Sequence, residues 1–112
     1  MRIVIDGAGE VGSHLAKMLR AESNDIMVID SDAQRLEKLA ATLDIDTLQG
    51  SPSSLSVLKQ AGVGKADLFI AVFPNAGQEI NIVSAVMAKN LGAAKVIARI
   101  SEEEFLTPEN KL

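Results

Sequence analysis

The chain has 112 residues, 47% of them hydrophobic and 23% charged, with a formal net charge of −4 and no cysteine. That length supports one compact domain with a single core, and the lack of cysteine excludes disulfides, thiol redox chemistry and thiolate metal sites. A pI near 4.9, with 3 Phe and no Trp or Tyr, argues against a nucleic-acid partner, because neither a basic surface nor a base-stacking platform is available.

Short β-branched runs alternate with longer stretches whose apolar residues recur three and four apart, so strands and helices are predicted to alternate along the whole chain. The first strand, Arg2 to Asp6, meets an acid and a glycine too early for a secretory signal. A helix follows from Val11 to Ala21, with Val11, Leu15, Met18 and Leu19 as one stripe. The second strand, Asp25 to Asp30, leads to a helix from Ala33 to Leu43 that carries Leu36, Leu39 and Leu43 and starts at Ser31, set in capping-box spacing with Gln34. Ile45 to Gln49 is the third strand, and Leu55 to Ala61 a helix begun by Ser53 or Ser54. Asp67 to Val72 is the fourth strand, followed by a helix from Ala76 to Leu91 and a fifth strand from Lys95 to Ile100. Val83, Val86 and Met87 on that last helix are read as sheet-facing core, with a pairing surface as the alternative. Ser101 and Glu104 again have capping-box spacing, which predicts a helix start cut off by Pro108 and no sixth strand.

The longest apolar run, Leu68 to Phe73, is far below the roughly 18 residues of a membrane span, so direct membrane insertion is excluded and a cytoplasmic address is expected. Strands that are mostly continuous apolar runs belong in a parallel sheet covered on both faces. The expected fold class is therefore α/β, a Rossmann-type open parallel sheet of strand order 3-2-1-4-5 with helices on both faces.

The first strand runs into Gly7-Ala8-Gly9-Glu10-Val11-Gly12, a G-x-G-x-x-G pattern placed where a helix begins. Gly7 permits the tight turn, Gly9 the approach of a pyrophosphate and Gly12 close packing of helix on sheet. The helix dipole and free backbone N–H groups then face the phosphates. Asp30 ends the second strand at the spacing where a carboxylate accepts from both ribose hydroxyls of an adenosine and repels a 2′-phosphate, favouring NAD or NADH over their phosphorylated forms. Arg35, one turn into the next helix, reaches toward the adenosine side, with a solvated helix face as the plainer alternative. Asp6 stands where an aliphatic residue is the ordinary choice, and an anion there opposes phosphate unless it points away or is capped.

Catalytic candidates are few. His14 is the only histidine, and its place just past Gly12 suits a surface or packing role. No Tyr exists for a Tyr-Lys relay, Glu102, Glu103 and Glu104 read as helix-start carboxylates, and Ser51, Ser53, Ser54 and Ser56 lack a base partner in the sequence. The domain reads as a binder and not a catalyst.

Gly7 to Ala16, Val28-Ile29-Asp30-Ser31-Asp32 with Arg35-Leu36, Ala66 to Val72, and Val96 to Ile100 together resemble the TrkA-type N-terminal domain, the nucleotide-binding lobe of RCK/KTN modules that regulate potassium uptake systems and channels. The resemblance covers nearly the whole chain. It implies a cytoplasmic lobe that binds NAD or NADH, or in some members ATP, ADP or AMP, forms homo-oligomers, and sits at the inner face of the membrane through a potassium-conducting transporter subunit. By position it places Gly7, Ala8, Gly9, Glu10, Val11 and Gly12 in the phosphate loop and Asp30 with Ser31 at the ribose. It also places Gly50 and Ser51 after the third strand, Val72 and Phe73 after the fourth, and Asn81 and Arg99 at the cleft, with a structural ion pair to the following glutamates as the alternative for Arg99. Two departures stand out. Gly50-Ser51-Pro52-Ser53 replaces the family's Gly-Asp-Ala-Thr, so a hydroxyl stands where a carboxylate is common. The turn Phe73-Pro74-Asn75-Ala76-Gly77-Gln78-Glu79 is longer and less polar at its start than the family's. Residues 1–112 are expected to form one lobe, the N-terminal part of a larger regulatory protein. The alternatives are the cofactor lobe of an NAD-dependent dehydrogenase and a degenerate Rossmann dimerisation module.

Overall fold

The computed structural model describes residues 1–74, 77–100 and 105–106. Its elements are β1 (Arg2–Asp6), α1 (Glu10–Ala21), β2 (Asp25–Asp30), α2 (Ala33–Ala40), β3 (Asp46–Gln49), α3 (Leu55–Gln60), a 3₁₀ turn (Val63–Lys65), β4 (Leu68–Ala71), α4 (Gly77–Leu91), β5 (Lys95–Arg99) and β6 (Phe105–Leu106). They form one sheet in the order β3-β2-β1-β4-β5-β6. The first five strands are parallel, as expected from the sequence, and β6 pairs antiparallel to β5 with Arg99 opposite Phe105.

That sixth strand corrects the expectation that the chain ends before one forms. Two residues carry no period of their own, and pairing with the open edge of β5 decides their conformation. The helix start proposed over Ser101 to Glu104 lies outside the described residues.

Alternation along the strands divides the core in two. Ile3, Ile5, Ile26, Val28, Ile70 and Val72 pack under α1 and α2 with Ala16 and Leu36. Val4, Ile29, Phe69, Ala71 and Ala98 pack on the other face with Leu58, Ala85 and Ala88 of α3 and α4. Leu39 and Leu43 join the first cluster although α2 ends at Ala40, because Thr42 and Leu43 still donate to the Leu39 carbonyl and continue the turn. On α1, Val11, Leu15 and Leu19 pack inward, but Met18 is 50% exposed, since it lies roughly 200° around the helix from fully buried Ala16. Similarly α4 buries Asn81, Ser84, Ala85 and Ala88, which turns Val83 and Val86 to solvent at 48% and 55% exposure. Only Met87 of the apolar trio packs against the core. No helix among the described residues is long and apolar enough to cross a membrane.

The start of α2 is one residue later than the capping box suggests. Asp32, not Ser31, is the N-cap, and its carboxylate accepts from the Gln34 N–H at 2.9 Å. Asp32→Ala is expected to cost about 1 kcal/mol in urea unfolding and Ser31→Ala under about 0.5 kcal/mol; a reversed order would place the cap at Ser31. At α3 the cap is Ser54, which accepts from Val57 N–H.

Candidate functional site

In an open parallel sheet the crevice forms where neighbouring strands send their chains in opposite directions. Here that place is the carboxyl end of β1 and β4, the pair at which the strand order reverses. The loop from β1 to α1 and the chain leaving β4 meet there at close range. Gly7 has φ +122°, and a Cβ on it would lie 2.8 Å from backbone atoms of Val72 and Phe73. A Cβ on Gly12 would lie 1.8 Å from the Gly7 carbonyl oxygen, so α1 rests directly on the loop that precedes it.

Ala8 is fixed from both sides. Its N–H donates to Asp30 Oδ2 at 2.7 Å, and its carbonyl accepts from the Ser13 hydroxyl at 3.0 Å. The loop so held leaves the N–H groups of Glu10, Val11 and Gly12 in the first turn of α1 without an acceptor among the described residues, as the geometry of a helix start requires, and Gly9 as N-cap supplies no side chain to fill the role. A cavity of about 510 Å³ opens beside them. Gly9, Glu10 and Val11 form its α1 side; Val72, Phe73 and Pro74 form the β4 side; Arg35 and Arg99 bring positive charge to its walls. Unpaired backbone donors, a helix N-terminus and two guanidinium groups make this a place for an anionic ligand. The Pro74 ring stands over Gly9, 2.9 Å from where a Cβ would be.

The remaining sequence candidates fall into different roles. Asp30 is fully buried; besides Ala8 it accepts from the Asp32 N–H at 2.8 Å through Oδ1, and Arg35 Nη1 stands 3.8 Å from Oδ2. Asp30 lines neither this cavity nor its neighbour between α1 and α2, and its carboxylate is engaged by the loop and the start of α2. Arg35 also lines a second cavity of about 500 Å³, between α1 and α2, with Ser13, Lys38 and Thr42. Asn81 faces inward: its Oδ1 accepts from Phe73 N–H at 2.8 Å, and its Nδ2 donates to the carbonyls of Phe73 and Arg99. It ties β4, α4 and β5 together at the cleft wall. Gly50, Ser51 and Ser31 line neither cavity; Gly50 N–H donates to the Asp30 carbonyl, and Ser51 is exposed beside Ser53.

Sequence reasoning missed the state of Asp6. Its side chain is fully buried on the α4 face, and neither carboxyl oxygen has a hydrogen-bond partner. Burial pushes this carboxyl well above the usual carboxylate range. Nearby Ser84 opposes the shift and the charge of Asp30 adds to it. The Ser84 proton itself goes to the Pro52 carbonyl at 2.6 Å. Burial thus favours the neutral acid at Asp6 over the carboxylate, and the side chain lines neither cavity, so the repulsion of phosphate expected of an anion at this position is weakened. An acid that replaces the expected aliphatic residue at the end of a buried strand was the signal.

A family model described as the TrkA-N domain matches residues 3–111. The Trk system potassium uptake protein TrkA homolog of Archaeoglobus fulgidus is 43% identical over 106 residues, 95% of this chain and 23% of that protein. The Trk system potassium uptake protein TrkA of Haemophilus influenzae is 43% identical over 113 residues, 100% of this chain and 24% of that protein. The chain thus spans about a quarter of the length of these relatives. Among solved structures, the GsuK channel bound to NAD superposes with TM-score 0.71 at 19% identity over 85% of this chain and 17% of that one, a likeness of fold.

Proposed function

This chain belongs to the TrkA-N domain family, and from that premise we propose that it is a regulatory nucleotide-binding lobe of a larger protein controlling potassium uptake. The observation that carries the reading is the pair of unpaired N–H groups of Glu10 and Val11 at the cavity of the strand-order reversal, with that of Gly12 behind them. Those donors fit a pyrophosphate. We assign the phosphates to residues 7–12, the adenosine ribose to Asp30 with Arg35 beside it, and the far end of the ligand to the wall of Val72, Phe73 and Arg99. NAD or NADH suits the carboxylate at Asp30; ATP, ADP and AMP share the adenosine half. The names of the relatives support a role in potassium uptake, and the shared fold of an NAD-bound channel is in keeping with a nucleotide ligand.

The lobe holds and releases its ligand on the cytoplasmic side and catalyses nothing. A bound nucleotide shifts an assembly between two arrangements only to the extent that it binds them unequally, so the regulatory signal is a difference in affinity. Val83 and Val86 on α4 offer exposed apolar surface for pairing with a second copy. The potassium-conducting subunit supplies the membrane attachment.

Calorimetric titration with NADH, NAD, ATP and ADP tests the proposal. Binding of at least one with a dissociation constant of micromolar order is expected. Absence of heat with all of them at millimolar concentration overturns the nucleotide reading.

A further inference from the structure

Asp6 precedes the phosphate loop, yet its carboxyl is shut away from the cleft. Its register partners Ile29 and Ala71, and Val4 two residues back, all belong to the apolar cluster beneath α3 and α4. The groups around it are few. From α4 come the Ser84 hydroxyl, donated to Pro52, and the Asn81 amide, committed to Phe73 and Arg99. From β2 comes the charge of Asp30, which acts on it through the sheet and has Arg35 on its outer side. From β4 comes its register partner Ala71, which is apolar. No cation faces Asp6 among these groups, and the one donor beside it, the Ser84 hydroxyl, is directed to the Pro52 carbonyl.

A buried carboxyl without partners is tolerable while neutral and costly once ionised. Ionisation at Asp6 would draw the Ser84 hydroxyl away from Pro52 or admit water between β1 and α4. Either change loosens the same contacts that fix the cleft: the next residue, Gly7, abuts Phe73, and Asn81, one turn before Ser84, holds Phe73 in place. A ligand bearing phosphates adds negative charge at the first turn of α1, which makes an ionised Asp6 still less favourable.

We propose that Asp6 is a proton-holding positioning residue of the nucleotide cleft, so that binding an anionic nucleotide is coupled to keeping, or taking up, one proton on the Asp6 carboxyl. The proton comes from solvent and returns to it when the nucleotide leaves. This rests on the nucleotide-binding reading above, and makes the lobe answer to pH as well as to its ligand.

The test compares the wild type with Asp6→Asn, which keeps the shape without the titration, and Asp6→Leu, which restores an ordinary aliphatic should Asn fold poorly. In the wild type, affinity for NADH is expected to fall on the order of ten-fold from pH 6 to pH 9.5; in either variant the fall is under about two-fold, any other titrating group being common to the three proteins. The carboxyl carbon of Asp6, followed by NMR in the ligand-free chain, is expected to report a protonated acid at pH 7. Stability follows the same sign. Between the ordinary carboxylate range and its raised value the folded chain holds a proton that the unfolded chain has lost, so the wild-type thermal midpoint drops with rising pH relative to Asp6→Asn. An ionised Asp6 at pH 7, or equal pH dependence of NADH affinity in wild type and variants, overturns the proposal. Absence of NADH binding at any pH alongside a protonated Asp6 overturns the nucleotide reading and the coupling built on it, while the buried neutral acid stands.

Discussion

Gly12→Val is expected to abolish nucleotide binding and to destabilise the chain by about 3 kcal/mol or more, at the upper end of what overpacking costs. The Cβ alone would stand 1.8 Å from the Gly7 carbonyl oxygen and 2.8 Å from its carbon, and neither atom has room to retreat. Gly7 donates its N–H to the Ile29 carbonyl at 2.8 Å and already abuts Phe73 on its other side. Relief therefore requires α1 to lift from the sheet. That pulls fully buried Ala16, with Val11, Leu15 and Leu19, out of the cluster over Ile3, Ile5 and Val28, and turns the free N–H groups of the first turn away from the cavity. Against a total stability of about 5–15 kcal/mol the loss is large. Gly62→Ala provides the contrast. Gly62 has φ +79°, but a Cβ there meets nothing within 4 Å, so only left-handed strain of about 1–2 kcal/mol is incurred. Urea unfolding and calorimetric titration of both variants separate the effects. A Gly12→Val chain within about 1 kcal/mol of wild type and with unchanged nucleotide affinity would show that the contact has slack it does not display.

Strand order and element order were readable because each strand is a short apolar run set between helices with one apolar stripe, a pattern that admits few topologies. The same reading failed where a side chain's neighbours come from distant segments. Met18 continues the spacing of Val11 and Leu15, yet the buried line of α1 runs through Gly12 and Ala16, and small residues are weak signals of burial. Val83 and Val86 look like core by composition, but α4 turns its polar Asn81 and Ser84 inward, because those two have carbonyl partners waiting at Phe73, Arg99 and Pro52. Asp6 shows the limit most sharply. Its identity was legible as an anomaly, while its direction depends on which face of β1 even-numbered residues occupy and on Ser84 lying across from it. At the site, the glycine spacing located the loop. That Asp30 spends its carboxylate on Ala8 and Asp32 before any ligand arrives follows from the fold of the loop and not from the spacing.

That double engagement makes Asp30 the residue whose removal should cost most after Gly12. In an Asp30→Ala chain the Ala8 N–H, buried beneath the loop, loses its acceptor, and the Asp32 N–H loses the bond that orders the start of α2. Hydrogen bonds to a charged group are each worth about 1.5–3 kcal/mol, so a loss of about 3 kcal/mol in stability is expected, the exposed Asp32 N–H recovering part of its share from water. Arg35 keeps Asp32, 3.7 Å away, and at 39% side-chain exposure its loss of Asp30 adds little. Asp30→Asn separates stability from recognition. The amide oxygen accepts one of the two N–H groups and the amide nitrogen opposes the other, so about half the stability loss should remain. Binding should suffer more than stability in that variant, because one acceptor for the ribose hydroxyls is replaced by a donor. Affinity for NADH and for ADP, which share the adenosine ribose, is expected to fall together by about 10–100-fold, the equivalent of one charge-assisted hydrogen bond. Equal affinities of wild type and Asp30→Asn for both nucleotides, in a variant shown by urea unfolding to be folded, would mean that the ribose is held elsewhere and that Asp30 serves the loop alone.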